Sequence, residues 1–397
     1  MSDTLSIPAY GTVARVAAPS SLWVRGPVWD AVFVQSALWL LPLVLWLAYG
    51  RANPSAGPLD LLYFGITALF WIGHRFGSTW LVYATEAYRP LLKAQPIRFV
   101  AIPLLVVVLC FAVLLPPDAA LPWTRAQRAI ALAIVDYVFS TWHFGAQHFG
   151  ALSLYRSRAG RSAGCTTRRL DRLFALGAGG VLIVIADMLA GSIAYPQQWL
   201  GPLPAWFAAQ QASIRFGATA LLIAATAAML VAELRAARIS LPRILYVIGL
   251  AAMVGVALQP RSLFVFLALW TSQHWILATG IGAQAPSAEP APTRGWLRRA
   301  LHALNTRPRM LIVFLMLISV ILLPLFEVEA NWQSSGAVWY GDRIFGALAV
   351  SLRNSTFMPA LLALGFAAGF THYLLDRAAY RFSDPRVRAA ASALVTA

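Results

Sequence analysis

The chain has 397 residues, 59% of them hydrophobic and 12% charged, with a formal net charge of +16. So apolar a composition excludes a soluble enzyme with one anchor and points to a polytopic membrane protein. The charge does not read as a nucleic-acid surface: the arginines cluster in short loops, and no basic groove with interleaved aromatics occurs.

Residues 1–29 are polar and contain Pro and Ser. They lack a short apolar core followed by a small-residue cleavage site, so no signal peptide is expected. Ten apolar segments follow, each close to the roughly 20 residues that cross a bilayer as a helix. They run over about 30–49, 58–83, 98–116, 126–153, 171–193, 213–234, 242–258, 262–283, 309–327 and 344–376. The last is long enough to be tilted or to break near Met358-Pro359. The expected fold is an all-α transmembrane helix bundle of about ten spans. One domain covers 30–383, between an N-terminal segment 1–29 and a tail 384–397.

The loops alternate in charge. Arg15 and Arg25 precede the first segment, and Arg89, Lys93 and Arg98 follow the second. Arg156, Arg158, Arg161, Arg168, Arg169 and Arg172 follow the fourth. Further arginines follow the sixth, eighth and tenth, while Glu327 and Glu329 lie on the opposite side. The positive-inside rule then makes both termini cytoplasmic, in a bacterial inner membrane. The stretches 195–211 and 328–343 are rich in Trp and read as interfacial caps. Trp296, Leu297, Ala300, Leu301 and Leu304 form an apolar stripe opposite Arg298, Arg299 and His302, an amphipathic surface helix with His302 on its solvated face. Cys110 lies in an apolar run and Cys165 in an Arg-rich loop, so no disulfide is expected.

Five of the six histidines, His74, His143, His148, His274 and His372, fall near the C-terminal ends of segments that all run from outside to inside. They should gather at one depth in the cytoplasmic leaflet. An ionisable side chain inside a bilayer is costly and usually functional. Neutral imidazole is the commonest protein metal ligand, and its second nitrogen usually donates to a carboxylate, a carbonyl or a water. Asp136 and Asp376 are the expected catalytic carboxylates that orient the ligands, with Gln147, Ser140 and Thr271 as further partners. Arg75 should pair with Asp136 or Asp376. Taken singly, each histidine reads more often as a helix–helix hydrogen-bond partner than as a ligand; five at one depth with nearby carboxylates point to a metal. Asp187, in the other leaflet, reads as a local helix partner.

His143 and His148 are five residues apart, about 140° around a regular helix. They serve two centres, or share one through a π-bulge eased by Gly145, or only one of them is a ligand.

No H-E-x-x-H, G-x-S-x-G or Walker loop occurs, and the HxxxH and HxxHH boxes of membrane desaturases are absent. The element Trp142-His143-Phe144-Gly145 resembles the aromatic-His-Phe-Gly element of the Brp/Blh family of β-carotene dioxygenases. The likeness covers a few residues around His143; the family's early His-Gly-x-x-Asp-His element is missing. It implies a comparable non-haem iron site and not the carotenoid substrate.

The expected function is a membrane-embedded metal-dependent oxidoreductase: an oxygenase, hydroxylase or desaturase-like enzyme. One or two non-haem iron ions would act on a lipophilic substrate taken from the membrane lipids, with a cytoplasmic electron donor. The alternatives are a haem- or bacteriochlorophyll-binding subunit, with Gly73, Gly77, Gly145 and Gly150 making room for a macrocycle, and a proton- or metal-coupled transporter.

Overall fold

Proline and apolar runs set the helices. Pro90, Pro204, Pro242 and Pro359 each stand in a first helical turn, where a missing N–H costs nothing. A computed structural model describes residues 21–50, 58–161, 165–190, 202–259, 263–292, 295–331 and 345–395. The helices are α1 (Pro27–Val34), α2 (Ala37–Tyr49), α3 (Pro58–Tyr83), α4 (Arg89–Ala94), α5 (Ile97–Leu114) and α6 (Arg125–Arg158). They continue with α7 (Thr167–Leu189), α8 (Leu203–Ala209), α9 (Gln211–Leu234), α10 (Leu241–Ala257), α11 (Leu263–Gln284) and α12 (Trp296–Asn305). The last are α13 (Pro308–Asn331), α14 (Ala347–Arg353), α15 (Met358–Ala379), α16 (Pro385–Ala390) and α17 (Ser392–Val395). No strand occurs among the described residues.

Six of these helices are long and apolar enough to cross a membrane: α5, α6, α7, α9, α13 and α15. A seventh is added if α1 and α2, bent by 48° at their junction, act as one span. α3 and α11 are 26 and 22 residues long but fall outside that set. They carry His74, Arg75 and Ser78, and Ser272, Gln273 and His274, in otherwise apolar runs. The expected segment 344–376 divides into α14 and α15, with the break at Asn354–Phe357, just before Met358-Pro359. The Trp-rich stretches 195–201 and 332–343 lie outside the described residues.

α6 is the longest element. Its start is fixed by a capping box: Gln127 N–H donates to the Thr124 hydroxyl at 3.3 Å, and Thr124 N–H to Gln127 Oε1 at 3.0 Å. Its 34 residues rise about 51 Å, well beyond a hydrocarbon core of about 30 Å. Its last turns therefore leave the apolar slab and enter polar surroundings.

α3, α6, α11 and α15 converge at the centre. α3 packs on α11, α13 and α15, and α15 packs on α5 and α6. The outer helices show apolar side chains outward: Val108 is 55% exposed, Phe216 78% and Ile321 74%. A belt of that kind suits lipid and would be untenable in water.

A group of arginines lies around the C-terminal end of α6. Arg158 is fully buried, and its guanidinium donates to the carbonyls of Val24, Ala393 and Leu394, joining both ends of the described chain to the end of α6. Beside it runs a chain of ion pairs, Arg156–Asp171–Arg243–Glu233–Arg161, linking α6, α7, α9 and α10. α12 carries Trp296, 77% exposed. Asn305, fully buried, ties it to Trp80 at 2.8 Å and Glu289 at 3.0 Å.

Candidate metal centre

One histidine from each central helix enters a closed ring. His74 of α3 lies 5.2 Å from His274 of α11, and His274 lies 5.0 Å from His143 of α6. His143 lies 4.9 Å from His372 of α15, which closes on His74 at 4.5 Å, all between ring centroids. Neighbouring imidazoles meet edge to face, at 75° to 87°. All four are buried. They share one level of the bundle.

Hydrogen bonds orient two of the rings. The Nδ1 of His74 is 3.2 Å from the Phe70 carbonyl, which only accepts, so that nitrogen carries the proton and Nε2 is left as a lone pair. The Nδ1 of His372 is 2.8 Å from the Ser78 hydroxyl, and Ser78 donates to Asp376 Oδ1 at 2.5 Å. With its single proton on Asp376, Ser78 accepts from His372, whose Nε2 is then also a lone pair. These tautomers are assigned from the network. The ring plane of Phe144 stacks on His274 at 3.7 Å and fixes it by packing alone.

Three of the four rings have buried nitrogens without a hydrogen bond. His143 Nε2, His372 Nε2 and both nitrogens of His274 are buried without a hydrogen bond. Each such orphan costs about 1–3 kcal/mol. A cation accepting these lone pairs removes that cost. His74, His274 and His372 offer ligand atoms within 4.8 Å of one another, and so do His143, His372 and Asp376. Metal–nitrogen bonds of about 2.1 Å hold opposite ligands about 4.2 Å apart, so small ring rotations close either set on an ion. The sets share His372. The donors present therefore fit a metal: imidazole nitrogens with one carboxylate, each side backed by a hydrogen-bonded group.

His148 stands outside the ring. Its Nδ1 meets the Tyr246 hydroxyl of α10 at 2.6 Å, and a Cβ added to Gly179 would come within 2.3 Å of its Cδ2. α6 is a regular α-helix from end to end, so the expected bulge between His143 and His148 does not occur. A π-turn does occur in the facing helix, at Gly177–Val181 of α7, where the glycine run lets the backbone close on His148. His302 is far along the chain, on α12, 3.4 Å from Glu289.

Asp376 reaches the ring, with Oδ2 3.6 Å from His143 Nε2 and 3.8 Å from His372 Nε2. Asp136 faces a different group. It lines a cavity of about 380 Å³ together with His74, Arg75, Tyr373 and Glu329. Arg75 pairs there with Glu329 at 2.6 Å and lies over Trp71 at 4.9 Å. The expected pairing of Arg75 with Asp136 or Asp376 is thus replaced by a pairing with a residue read as extramembrane. Gln147 has its Oε1 buried without a partner, Ser140 bonds its own helix at Tyr137, and Asp187 accepts from Tyr137 at 2.5 Å.

A second cavity, of about 1180 Å³, lies on the other side of the ring. His74, His143, Ser78 and Asp376 line its floor, Leu81, Leu154 and Leu315 its walls, and arginines its mouth. His74 borders both cavities. Comparison with protein-family models, curated proteins and solved structures found no match to this chain.

Proposed function

We propose that the chain is an integral membrane metal-dependent oxidoreductase whose ion is held by His74, His143, His274 and His372 with Asp376. One observation carries this: four buried imidazoles from four helices form a closed ring, and three of them, His143, His274 and His372, hold buried nitrogens without a hydrogen bond. A bundle that needed them only for helix contacts would have paired them, as it paired His148 with Tyr246. Nitrogen-rich ligation with a carboxylate suits non-haem iron, which supplies O2 activation when bound. The resemblance around Trp142-His143-Phe144-Gly145 points the same way.

The protein's own groups do the rest. Ser78 and Asp376 hold His372 in its tautomer, and the Phe70 carbonyl holds His74. Asp376 is placed to take or return a proton at the ring. Apolar walls exclude water and favour a lipophilic substrate. The contact spacing of the four rings leaves no slot for a macrocycle and favours a bare ion over haem or bacteriochlorophyll. The ten-span arrangement, with the arginine end and both termini cytoplasmic, is part of this proposal. It gives an electron donor access from that side.

Elemental analysis and an absorption spectrum of the purified protein test it together. Stoichiometric iron without a Soret or chlorophyll band is expected. A tetrapyrrole band, or protein from iron-replete cells holding no transition metal, overturns it.

A further inference from the structure

The mouth of the large cavity carries more charge than the bundle's ion pairs consume. Arg156 and Arg161 line it, but Asp171 and Glu233 already hold them. Arg168, Arg169, Arg172 and Arg377 line it as well, and none of these four makes an ion pair among the described residues. Arg377 lies over Trp142 at 5.2 Å, which holds its guanidinium at the cavity wall. Arginines that only set orientation need no cavity behind them. Here they ring the entrance of one that runs between leucine walls to His143 and Asp376. On α6, His143 and Arg156 are thirteen positions apart, about 20 Å of helix rise. The space is thus long, apolar along its walls, cationic at one end and imidazole-lined at the other. A protein surface would cover the mouth and leave the depth unfilled.

We infer that this cavity binds a single-chain anionic amphiphile: a phosphate or carboxylate head on Arg168, Arg169, Arg172 and Arg377, with its apolar chain reaching toward the histidine ring. Bidentate recognition of such a head is what guanidinium offers over ammonium. The inference rests on the proposed function only in calling this ligand the substrate; the binding itself does not need the metal.

The test uses the full chain in detergent micelles. The probes are oleoyl lysophosphatidic acid, chain-matched monooleoylglycerol and inorganic phosphate. Saturable binding of the phosphate lipid, at least tenfold tighter than the neutral lipid and not displaced by millimolar phosphate, is expected. Arg169→Gln with Arg377→Gln should weaken it roughly tenfold, the scale of one charged hydrogen bond. Both residues are exposed, so the variant keeps the fold. A lysophosphatidic acid with a diazirine at the chain end should label the peptides of Trp142 or Leu315. Equal binding of the neutral lipid, an unchanged double variant, or labels confined to the outer belt overturns the inference. Displacement by phosphate makes the mouth a site for soluble anions and overturns it too. His274→Ala separates the two readings: it should lose metal and keep the lipid. Metal-free wild-type protein that still prefers the phosphate lipid sinks the proposed function alone, and metal-loaded protein without that preference sinks this inference alone.

Discussion

Two buried polar clusters meet along α6, and they are built on different rules. In the chain Arg156–Asp171–Arg243–Glu233–Arg161 each carboxylate meets two guanidinium groups, and Glu233 also accepts from the Ser240 N–H at 2.7 Å. In the histidine ring the inward nitrogens of His143, His274 and His372 have no hydrogen bond. The first cluster pairs its charges within the protein and holds four helices together. The second is left open by the protein, at a free-energy cost that a stable bundle bears only where a ligand offsets it. The difference lies in the groups that carry the chemistry: both carboxylates of the first cluster are paired, although Arg161 Nε and Arg243 Nε stay unbonded, whereas in the ring the ligand atoms themselves are left unbonded.

The largest test of that contrast removes one charge from the paired cluster. Asp171→Ala strands Arg156 and leaves Arg243 with Glu233 alone. It should cost about 3–5 kcal/mol, read as a fall in the unfolding midpoint in detergent. His274→Ala should cost the metal-free protein far less, since its nitrogens hold no bond there, but should abolish most metal binding. His148→Ala and His302→Ala should keep the metal. Equal destabilisation by Asp171→Ala and His274→Ala would erase the distinction.

A finer cut lies at Ser78. Ser78→Ala removes the hydroxyl between His372 and Asp376 and frees the imidazole to flip. Metal affinity should fall about 10–100-fold with the fold intact. Unchanged affinity in a chelator competition would show that the hydroxyl is only packing.

Tyr246→Phe sharpens the comparison from the other side. It strands the Nδ1 of His148 at a buried contact of the paired kind. About 1 kcal/mol of stability should go, with metal content untouched. A loss of metal here would bring His148 back into the site.

The smallest effect belongs to Glu289, in the loop before α12. Burial pushes its carboxyl above the ordinary 4.5, against the pull of Asn305, the Glu86 and Ala87 N–H groups and His302. A raised folded value means that folding favours the protonated form. Its stabilisation is complete below the unfolded value and is lost as pH rises through the folded one. Stability should therefore rise slightly as pH falls toward 4.5, and Glu289→Gln should flatten that slope, measured by thermal unfolding across pH. A slope unchanged in the variant would assign it to other groups.

The sequence by itself determined the elements. Apolar runs, prolines and arginine-rich loops place α3, α10 and α11 within a residue or two of the expected segments, because helix formation in an apolar slab follows local composition. It also singled out His74, His143, His148, His274 and His372, since a titratable group in such a run is costly. What only the tertiary structure decided is which nitrogens meet. Each residue turns the side chain by about 100°, so rotation and crossing of whole helices, not spacing along one of them, brings imidazoles together. That is why His148 goes to Tyr246 while His143 enters the ring, and why Arg75 finds Glu329 across the bundle.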